Sequence, residues 1–481
     1  MRLPSLLGRR AALRSSAAAA AAAAAGCQVT APTSRHEGLY HFTMPPERSI
    51  DQLTQALSKA LGPTSVDQII DVTGDGLGPG DVVTVKAPTR SVGTVAALER
   101  LVRADVRLPD FEADLEVVET AHWSGNCRRD RESLIAGGQA NCAPVPRTPT
   151  DLAWPLHSMN VPTAWQYSVQ AGRPALGEGI VIGHIDTGIA EHVDINENVL
   201  VNEGYNLIER EMKGGYDPLI NNVQYFEQIG HGTATASVMV SRGNILQWIE
   251  RSTCGGTTSP GRITGTAPLA QLLPVRAFRL AATKNLARIA EAVNILRKRK
   301  VDVITMALGW AWPSSVLETA LREAIAANIL VLAAAGNFVG KVVYPANGGD
   351  VIAVGGTGPD DEAWCGSSHG PAVTISAPGD KVWRAYRNEK SRRIDLIGPR
   401  FGTSFAVSLT AGVGALWLAH HGRQSLISRL NNKHPTLQSA FQDALVRTAR
   451  QPTGWELHGH GLGAGIVDAY ALLRAKPIAH S

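Results

Sequence analysis

Four polar residues of this 481-residue chain have the types that nucleophilic acyl transfer needs. They are Asp186 in "GIVIGHID", His231 in "GHGT", Asn337 in "AAAGN" and Ser404 in "GTSFA". A serine can attack a carbonyl carbon when a histidine takes its proton and an acid orients that histidine. An amide N–H can then stabilise the oxyanion that forms. The order Asp, His, Ser along the chain is one of three common orders for such a triad.

Two of these residues also suit purely structural roles. Ser404 precedes an apolar run that is typical of a buried helix, and serine is a favoured N-cap. Asn337 follows an apolar run and is a common turn residue. Neither residue is decisive by itself, so the elements that would position them have to be considered.

Short apolar runs recur between residues 179 and 357 and are typical of parallel strands buried on both faces. Helical patterns lie between them, with stripes at 286–293 and 317–325. This alternation predicts an α/β domain with a doubly wound, mostly parallel sheet flanked by helices. The predicted strands are 179–186, 272–278, 301–308, 329–336 and 351–357. Reactive groups of such sheets gather at the carboxyl ends of the strands, where Asp186 and Asn337 fall.

The same motifs resemble those of the subtilisin-like serine peptidases, the subtilases. "IDTG", "GHGT" and "GTSFA" are similar to the family's aspartate, histidine and serine motifs, and "AAAGN" to the segment with its oxyanion asparagine. The similarity extends from about residue 150 to 473 and includes "GTAP", "SAPG" and "GAGIVDA". The resemblance implies a subtilisin-like fold and a serine endopeptidase that acts on polypeptides through an acyl-enzyme intermediate.

The resemblance also implies a role for each residue. Ser404 would be the nucleophile, His231 the base and Asp186 the acid that orients the base, with Asn337 and the Ser404 N–H as the oxyanion hole. The primary substrate pocket would lie along Ala307, Leu308, Gly309, Ala335 and Gly336, which carry no charge and so favour an apolar or uncharged residue. No cofactor is required in the family. Calcium is common there as a stabilising ion, but no ligand loop is evident in this chain.

The chain departs from the family pattern at several positions. The proline and histidine that commonly follow the serine are absent from "GTSFAVSL", and Ala234 replaces a frequent second histidine. His184 lies two residues before Asp186, so both side chains are expected on one face of the strand. We expect His184 to be a neighbour of the acid rather than a competing base.

A smaller domain precedes the catalytic one. The pattern between residues 38 and 121 is β-α-β-β-α-β, which predicts a small α+β, ferredoxin-like domain. By the resemblance, residues 28–121 would be a propeptide that inhibits its own enzyme until it is cut near Ala121 or, alternatively, near Thr148. Residues 122–150 would then be a linker, and residues 151–476 the catalytic domain.

The N-terminus is typical of a targeting segment. Residues 1–27 combine several arginines, no acidic residue and a run of alanines, which predicts an export signal. "AAGC" resembles a degenerate lipobox, which would place a lipid on Cys27 and tie the protein to a membrane. The protein would be secreted, periplasmic or lipid-anchored, and the alternative is an organelle transit peptide.

The remaining four cysteines allow three disulfide connectivities. Cys127 with Cys142 and Cys254 with Cys365 is the expected pairing in an exported protein, and four free thiols are the alternative. No Cys or His spacing indicates a metal site.

Other functional classes receive little support. The net charge of +4 comes without a basic stripe interleaved with aromatics, so nucleic acid is not an expected partner. A serine esterase of the α/β-hydrolase type would need a G-x-S-x-G motif and another triad order. A catalytically silent subtilase fold that binds peptides is the remaining alternative.

Overall fold

The computed structural model describes most of the predicted catalytic domain and four strands that precede it. The described residues are 36–43, 68–71, 82–89, 112–118, 152–219, 229–243, 262–283, 285–387, 393–452, 455 and 461–478. The export signal, the linker with Cys127 and Cys142, both proposed cleavage points, Cys254 and the two predicted helices of the front domain lie outside these residues.

The four preceding strands form an antiparallel sheet. They are β1 (His36–Thr43), β2 (Gln68–Asp71), β3 (Val82–Thr89) and β4 (Glu112–Val118), in the order β2-β3-β1-β4. Every neighbouring pair is antiparallel. This is the strand order of the predicted split βαβ arrangement. β2 and β3 pair as a hairpin, so "TGDGLGPG" connects two paired strands as predicted.

The catalytic domain is built on a parallel sheet of seven strands. In the order of the sheet they are β11 (Ile375–Pro378), β10 (Ile352–Thr357), β9 (Leu330–Ala334), β8 (Val303–Met306), β5 (Val181–Asp186), β7 (Gln271–Arg276) and β6 (Tyr205–Asn206). All pairings are parallel. The five strands predicted from apolar runs are the five central ones, which confirms the fold class.

The two edge strands were not predicted. β6 has two residues, too few to show a period, and β11 contains a proline, which lowers the strand signal of a sequence. Their place at the edges fits both features, because an edge strand needs fewer ladder hydrogen bonds.

Helices cover both faces of the sheet. One face carries α4 (Leu286–Lys298) and α5 (Ser315–Ala326), whose apolar stripes were predicted. Side chains of Asn285 and Ser314 accept the Arg288 and Leu317 N–H groups at 2.9 and 3.3 Å, and so cap these helices. The other face carries α1 (Trp154–Ser158), α2 (Val161–Gln170), α3 (His231–Val240), α6 (Thr403–His421), α8 (Leu437–Thr448) and α9 (Ala469–Arg474), with the short α7 (Arg423–Ile427) following α6.

Helix α6 is the central helix of the domain. It is the described helix that is long and apolar enough to cross a membrane, but its whole apolar window is buried inside the domain. It is therefore a core helix, and both α3 and the strands of the sheet pack against it. β12 (Val382–Ala385) and β13 (Ile397–Arg400) form a separate antiparallel pair near α3.

Candidate active site

Asp186 is the last residue of β5 and is fully buried. Its Oδ1 accepts hydrogen bonds from His231 Nδ1 and the Thr187 N–H, both at 2.7 Å. Burial alone raises the pKa of Asp186, but the charge of His231 and hydrogen bonds from His184 and His231 lower it by more. The pKa therefore lies well below its usual range, and the carboxylate is ionised when it holds the imidazole.

His231 is the first residue of α3, and two glycines bring it to Asp186. Gly188, at φ +95°, turns the chain after β5, and its carbonyl lies against the first turn of α3. A Cβ on Gly232 would lie only 2.2 Å from that oxygen, so no other residue type fits without displacing the helix. The glycines of the "IDTG" and "GHGT" motifs thus permit the approach that forms the Asp186–His231 contact.

Asp217 also supports the start of α3, and the sequence carried no signal for it. Its Oδ2 accepts the Gly230 N–H at 2.8 Å, directly before His231. Burial raises the pKa of Asp217, while backbone N–H groups of Leu219 and Gly230 lower it in part. The carboxylate satisfies a helix N–H that would otherwise be buried without an acceptor.

Ser404 lies in the first turn of α6 and does not cap it. The helix begins at Thr403, its N-cap is Gly402, and no side chain caps the helix. The hypothesis that Ser404 is an N-cap is therefore wrong. Only 6% of Ser404 is exposed, and its hydroxyl makes no hydrogen bond within the described part of the chain. The structure thus closes the Asp–His half of the set but not a Ser–His bond; such bonds are often long without substrate.

Asn337 follows β9 and is held against the start of α6. Its Oδ1 accepts the Thr403 N–H at 2.9 Å and the Thr403 hydroxyl at 2.8 Å. Since both neighbours donate, the amide oxygen must face Thr403 and the Nδ2 group must face away. A Cβ placed on Gly402 would lie 3.6 Å from Asn337 Nδ2 and 3.8 Å from Ser404 Cβ, so the amide is close to the serine.

The two halves of the set lie at one edge of the sheet. Asp186 ends β5 and Asn337 follows β9, and these strands run parallel with β8 between them. The carboxyl ends of parallel strands meet at the same edge, so the Asp186–His231 pair and the Asn337–Ser404 pair face the same crevice. Helices α3 and α6, which begin at these pairs, pack against each other.

The residues predicted for the substrate pocket are mostly interior. Ala307, Leu308 and Ala335 are buried, and only Gly309 and Gly336 are partly exposed. Backbone at the two glycines, rather than side chains, would form the accessible wall there.

A metal site is not evident in the described ranges. No group of three or more His, Cys, Asp or Glu residues in them is placed to hold a metal ion. The structural calcium expected from the resemblance stays a prediction.

Comparison with known proteins agrees with this geometry. The sequence model of the subtilase family matches residues 177–464. The chain belongs to the subtilase family. It is therefore a serine endopeptidase by class, with peptide substrates and a reaction that requires no cofactor.

Relatives and solved structures support the assignment. The chain is 30% identical to a thermostable alkaline protease of Halalkalibacterium halodurans over 246 residues, which are 51% of this chain and 58% of that protein. It is 25% identical to Subtilisin Savinase of Lederbergia lenta, over 67% of this chain and 98% of that one. The fold is similar to that of fervidolysin from Fervidobacterium pennivorans, with a TM-score of 0.59, 18% identity and coverage of 93% of this chain and 62% of that chain.

Proposed function

We propose that the subtilase hydrolyses peptide bonds with Ser404 as nucleophile, His231 as general base and Asp186 as the orienting acid. The 2.7 Å contact between Asp186 Oδ1 and His231 Nδ1 carries the proposal. Because Nδ1 is engaged by the carboxylate, Nε2 is the nitrogen available to the Ser404 proton. His231 then returns that proton to the leaving amine, and water releases the acyl group from Ser404 in a second step.

The oxyanion would be held by two donors. Asn337 Nδ2 faces away from Thr403, and the Ser404 N–H is in the first helical turn, where N–H groups have no intrahelical acceptor. Both donors are adjacent to the serine that forms the tetrahedral intermediate, as stabilisation of its charge requires.

Labelling with a fluorophosphonate probe tests the nucleophile. We expect one adduct, on Ser404, that mass spectrometry finds in the parent and in Ser408→Ala but not in Ser404→Ala. Ser408 is the matched control, because it is a buried serine of the same helix whose hydroxyl donates to the Ser404 carbonyl. If the folded, processed parent gave no adduct, the chain would be a silent peptide-binding fold.

We also propose that residues 28–121 are the propeptide of this enzyme. In support, β1 and β4 contact α5, and β3 contacts α4, so the small sheet lies against the catalytic domain. Sequencing the N-terminus of the exported protein should find a cut near Ala121 or Thr148 in the parent and none in Ser404→Ala. An uncut but fully active parent would contradict the proposal.

Residues 1–27 are proposed as an export signal, because several of the related proteases are extracellular enzymes. The mass of the N-terminal peptide distinguishes secretion with a free end from a lipid on Cys27. An N-terminus that begins at Met1 in a cell-associated protein would contradict export.

The proposed substrates carry an apolar or uncharged residue at the scissile bond. Phe338 and Phe401 support this, since they adjoin Asn337 and Ser404 in sequence and are 42% and 48% exposed. Their rings pack edge-to-face at 5.8 Å. A peptide library should show preference for apolar residues near the cut, reduced in Phe338→Ser. A preference for Lys, Arg or Asp would contradict it.

The pairing of Cys254 with Cys365 and of Cys127 with Cys142 is part of the same proposal. Cys365 is in a disulfide whose partner lies outside the described residues, which supports the first pair. Non-reducing peptide mapping should find both cross-links, and a free Cys254 thiol would contradict the pairing.

A further inference from the structure

We propose that His184 and Thr235 are positioning residues that hold the catalytic carboxylate from the side opposite His231. Thr235 Oγ1 lies 3.0 Å from Asp186 Oδ2, and His184 Nε2 lies 2.9 Å from Thr235 Oγ1 and 3.4 Å from the same Oδ2. The inference rests on the proposed function, since it assigns partners to the acid of that triad.

The chain brings these residues together through two local spacings. His184 precedes Asp186 by two residues on β5, so both side chains point to the face that carries α3. Thr235 follows His231 by four residues on α3, so both lie on one face of that helix. When β5 and α3 pack, each catalytic residue therefore brings one neighbour to the same carboxylate.

The positions of the protons follow from the available partners. His184 Nδ1 is buried and has no hydrogen-bond partner among the described residues. An N–H at that atom would be a buried donor without an acceptor, which is costly, so the proton belongs on Nε2 and the ring is neutral. The Nε2–H then donates to Thr235 Oγ1.

The Thr235 hydroxyl has a single proton and three acceptors within reach. Asp186 Oδ2 is 3.0 Å away, and the His231 and Gly232 carbonyl oxygens are each 3.1 Å away. The ionised carboxylate is the strongest acceptor of the three, so it takes the proton. His184, Thr235 and Asp186 thus form one chain of donors that ends on Oδ2.

This chain restrains the carboxylate and draws charge from it. Oδ1 is held by His231 and the Thr187 N–H, and Oδ2 is held by Thr235, so the carboxyl group cannot rotate away from the imidazole. His184, Asp186 and Thr235 are each at most 1% exposed, so water cannot replace these bonds. A donor on Oδ2 also leaves less negative charge on Oδ1, where the imidazolium forms.

Other charged groups near Asp186 stay in place when Thr235 is changed. His184 faces it from β5 and His231 from α3, and Asp217 and Arg276 are paired across the turn that follows β5, 4.0 Å apart. Since a change at Thr235 removes only the Oδ2 donor, any altered pH dependence reports on that bond.

Kinetics of Thr235→Val test the inference. We expect kcat to fall about tenfold with KM unchanged, because one hydrogen bond to a charged group is lost. We expect the acidic limb of kcat/KM against pH to move up by about half a unit, because more charge on Oδ1 lets His231 keep its proton to higher pH. Thr235→Ser, which keeps the hydroxyl, should restore both values. His184→Val should shift both in the same direction.

Thr305→Val is the matched control. Thr305 pairs in register with His184 on β8, and its buried hydroxyl has no partner among the described residues. This variant should keep the parent's kcat and pH profile.

Two results would overturn the inference. One is a folded Thr235→Val enzyme with the parent's kcat and acidic limb, and the other is an equal loss in Thr235→Val and Thr235→Ser without a pH shift. Absence of a Ser404 adduct in the parent would instead contradict the proposed function. If His184→Val does not fold, the two Thr235 variants decide the matter.

Discussion

Replacing Asn337 by aspartate should separate catalysis from folding at this site. The side chain of Asn337 has two tasks: its oxygen accepts two donors from Thr403, and its Nδ2 group faces the crevice beside Ser404. Asn337→Asp keeps the accepting oxygen and the side-chain shape. It removes only the Nδ2 donor and puts an anionic oxygen where the oxyanion forms.

The expected sizes follow from those contacts. Loss of one oxyanion-hole amide costs about 100- to 1,000-fold in kcat, a range that comes from an enzyme of this family, and a repelling charge places Asn337→Asp at the far end. About 1,000-fold corresponds to about 4 kcal/mol of transition-state stabilisation. The unfolding free energy should hold, because Thr403 keeps its acceptor. In Asn337→Ala, by contrast, the Thr403 N–H and hydroxyl lose theirs, which costs about 1–3 kcal/mol of stability.

Steady-state kinetics on a chromogenic peptide, with thermal unfolding of the same samples, tests this reasoning. We expect Asn337→Asp to keep the parent's KM and melting temperature and to lose kcat. Asn347→Asp, the same change at an exposed amide whose Nδ2 donates to the Val342 carbonyl, should stay within about twofold of the parent. Retention of kcat within about tenfold in Asn337→Asp would refute the assignment of Nδ2 as the oxyanion donor.

Two further predictions concern stability, measured by thermal unfolding in the variant that lacks the nucleophile. Burial raises the pKa of Glu291 to about 7, although Arg210 lowers it in part. The folded state then holds a proton that the unfolded state loses, so stability falls as pH rises from about 4.5 to 7. Glu291→Gln should therefore gain stability over the parent at pH 8 relative to pH 4, and a constant difference would contradict the pKa shift. Gly232→Ala should cost about 1–3 kcal/mol or prevent folding, because its Cβ would meet the Gly188 carbonyl at 2.2 Å. Gly348→Ala, with its nearest neighbour at 3.5 Å, should be neutral, and equal stability of the two variants would contradict the steric argument.

Local patterns sufficed for the frame of the catalytic domain. Apolar runs such as 301–308 and 329–336 predicted central strands because a strand buried on both faces must be apolar throughout. The helical stripes at 286–293 and 317–325 predicted α4 and α5 in the same way. Edge strands β6 and β11 escaped prediction, since their short or proline-containing segments carry little periodic signal.

The immediate surroundings of the acid were harder to predict. The two-residue spacing correctly put His184 on the face of Asp186, and a four-residue spacing could have placed Thr235 beside His231. Nothing local placed Asp217 under Gly230, because it reaches the start of α3 from a separate loop. The accessibility of the predicted pocket residues also depended on packing, which buries Ala307, Leu308 and Ala335.

The sequence by itself determined the strand and helix order, the motifs and the family, because these depend on residue types and spacings along the chain. Tertiary structure alone decided that Ser404 does not cap its helix and that Asn337 directs its amide toward the serine, since both depend on contacts between residues far apart in sequence. It also decided that the carboxylate of Asp186 is held on both oxygens. The physical reason is burial: once β5 and α3 exclude water, every hydrogen bond to that charge must come from the protein.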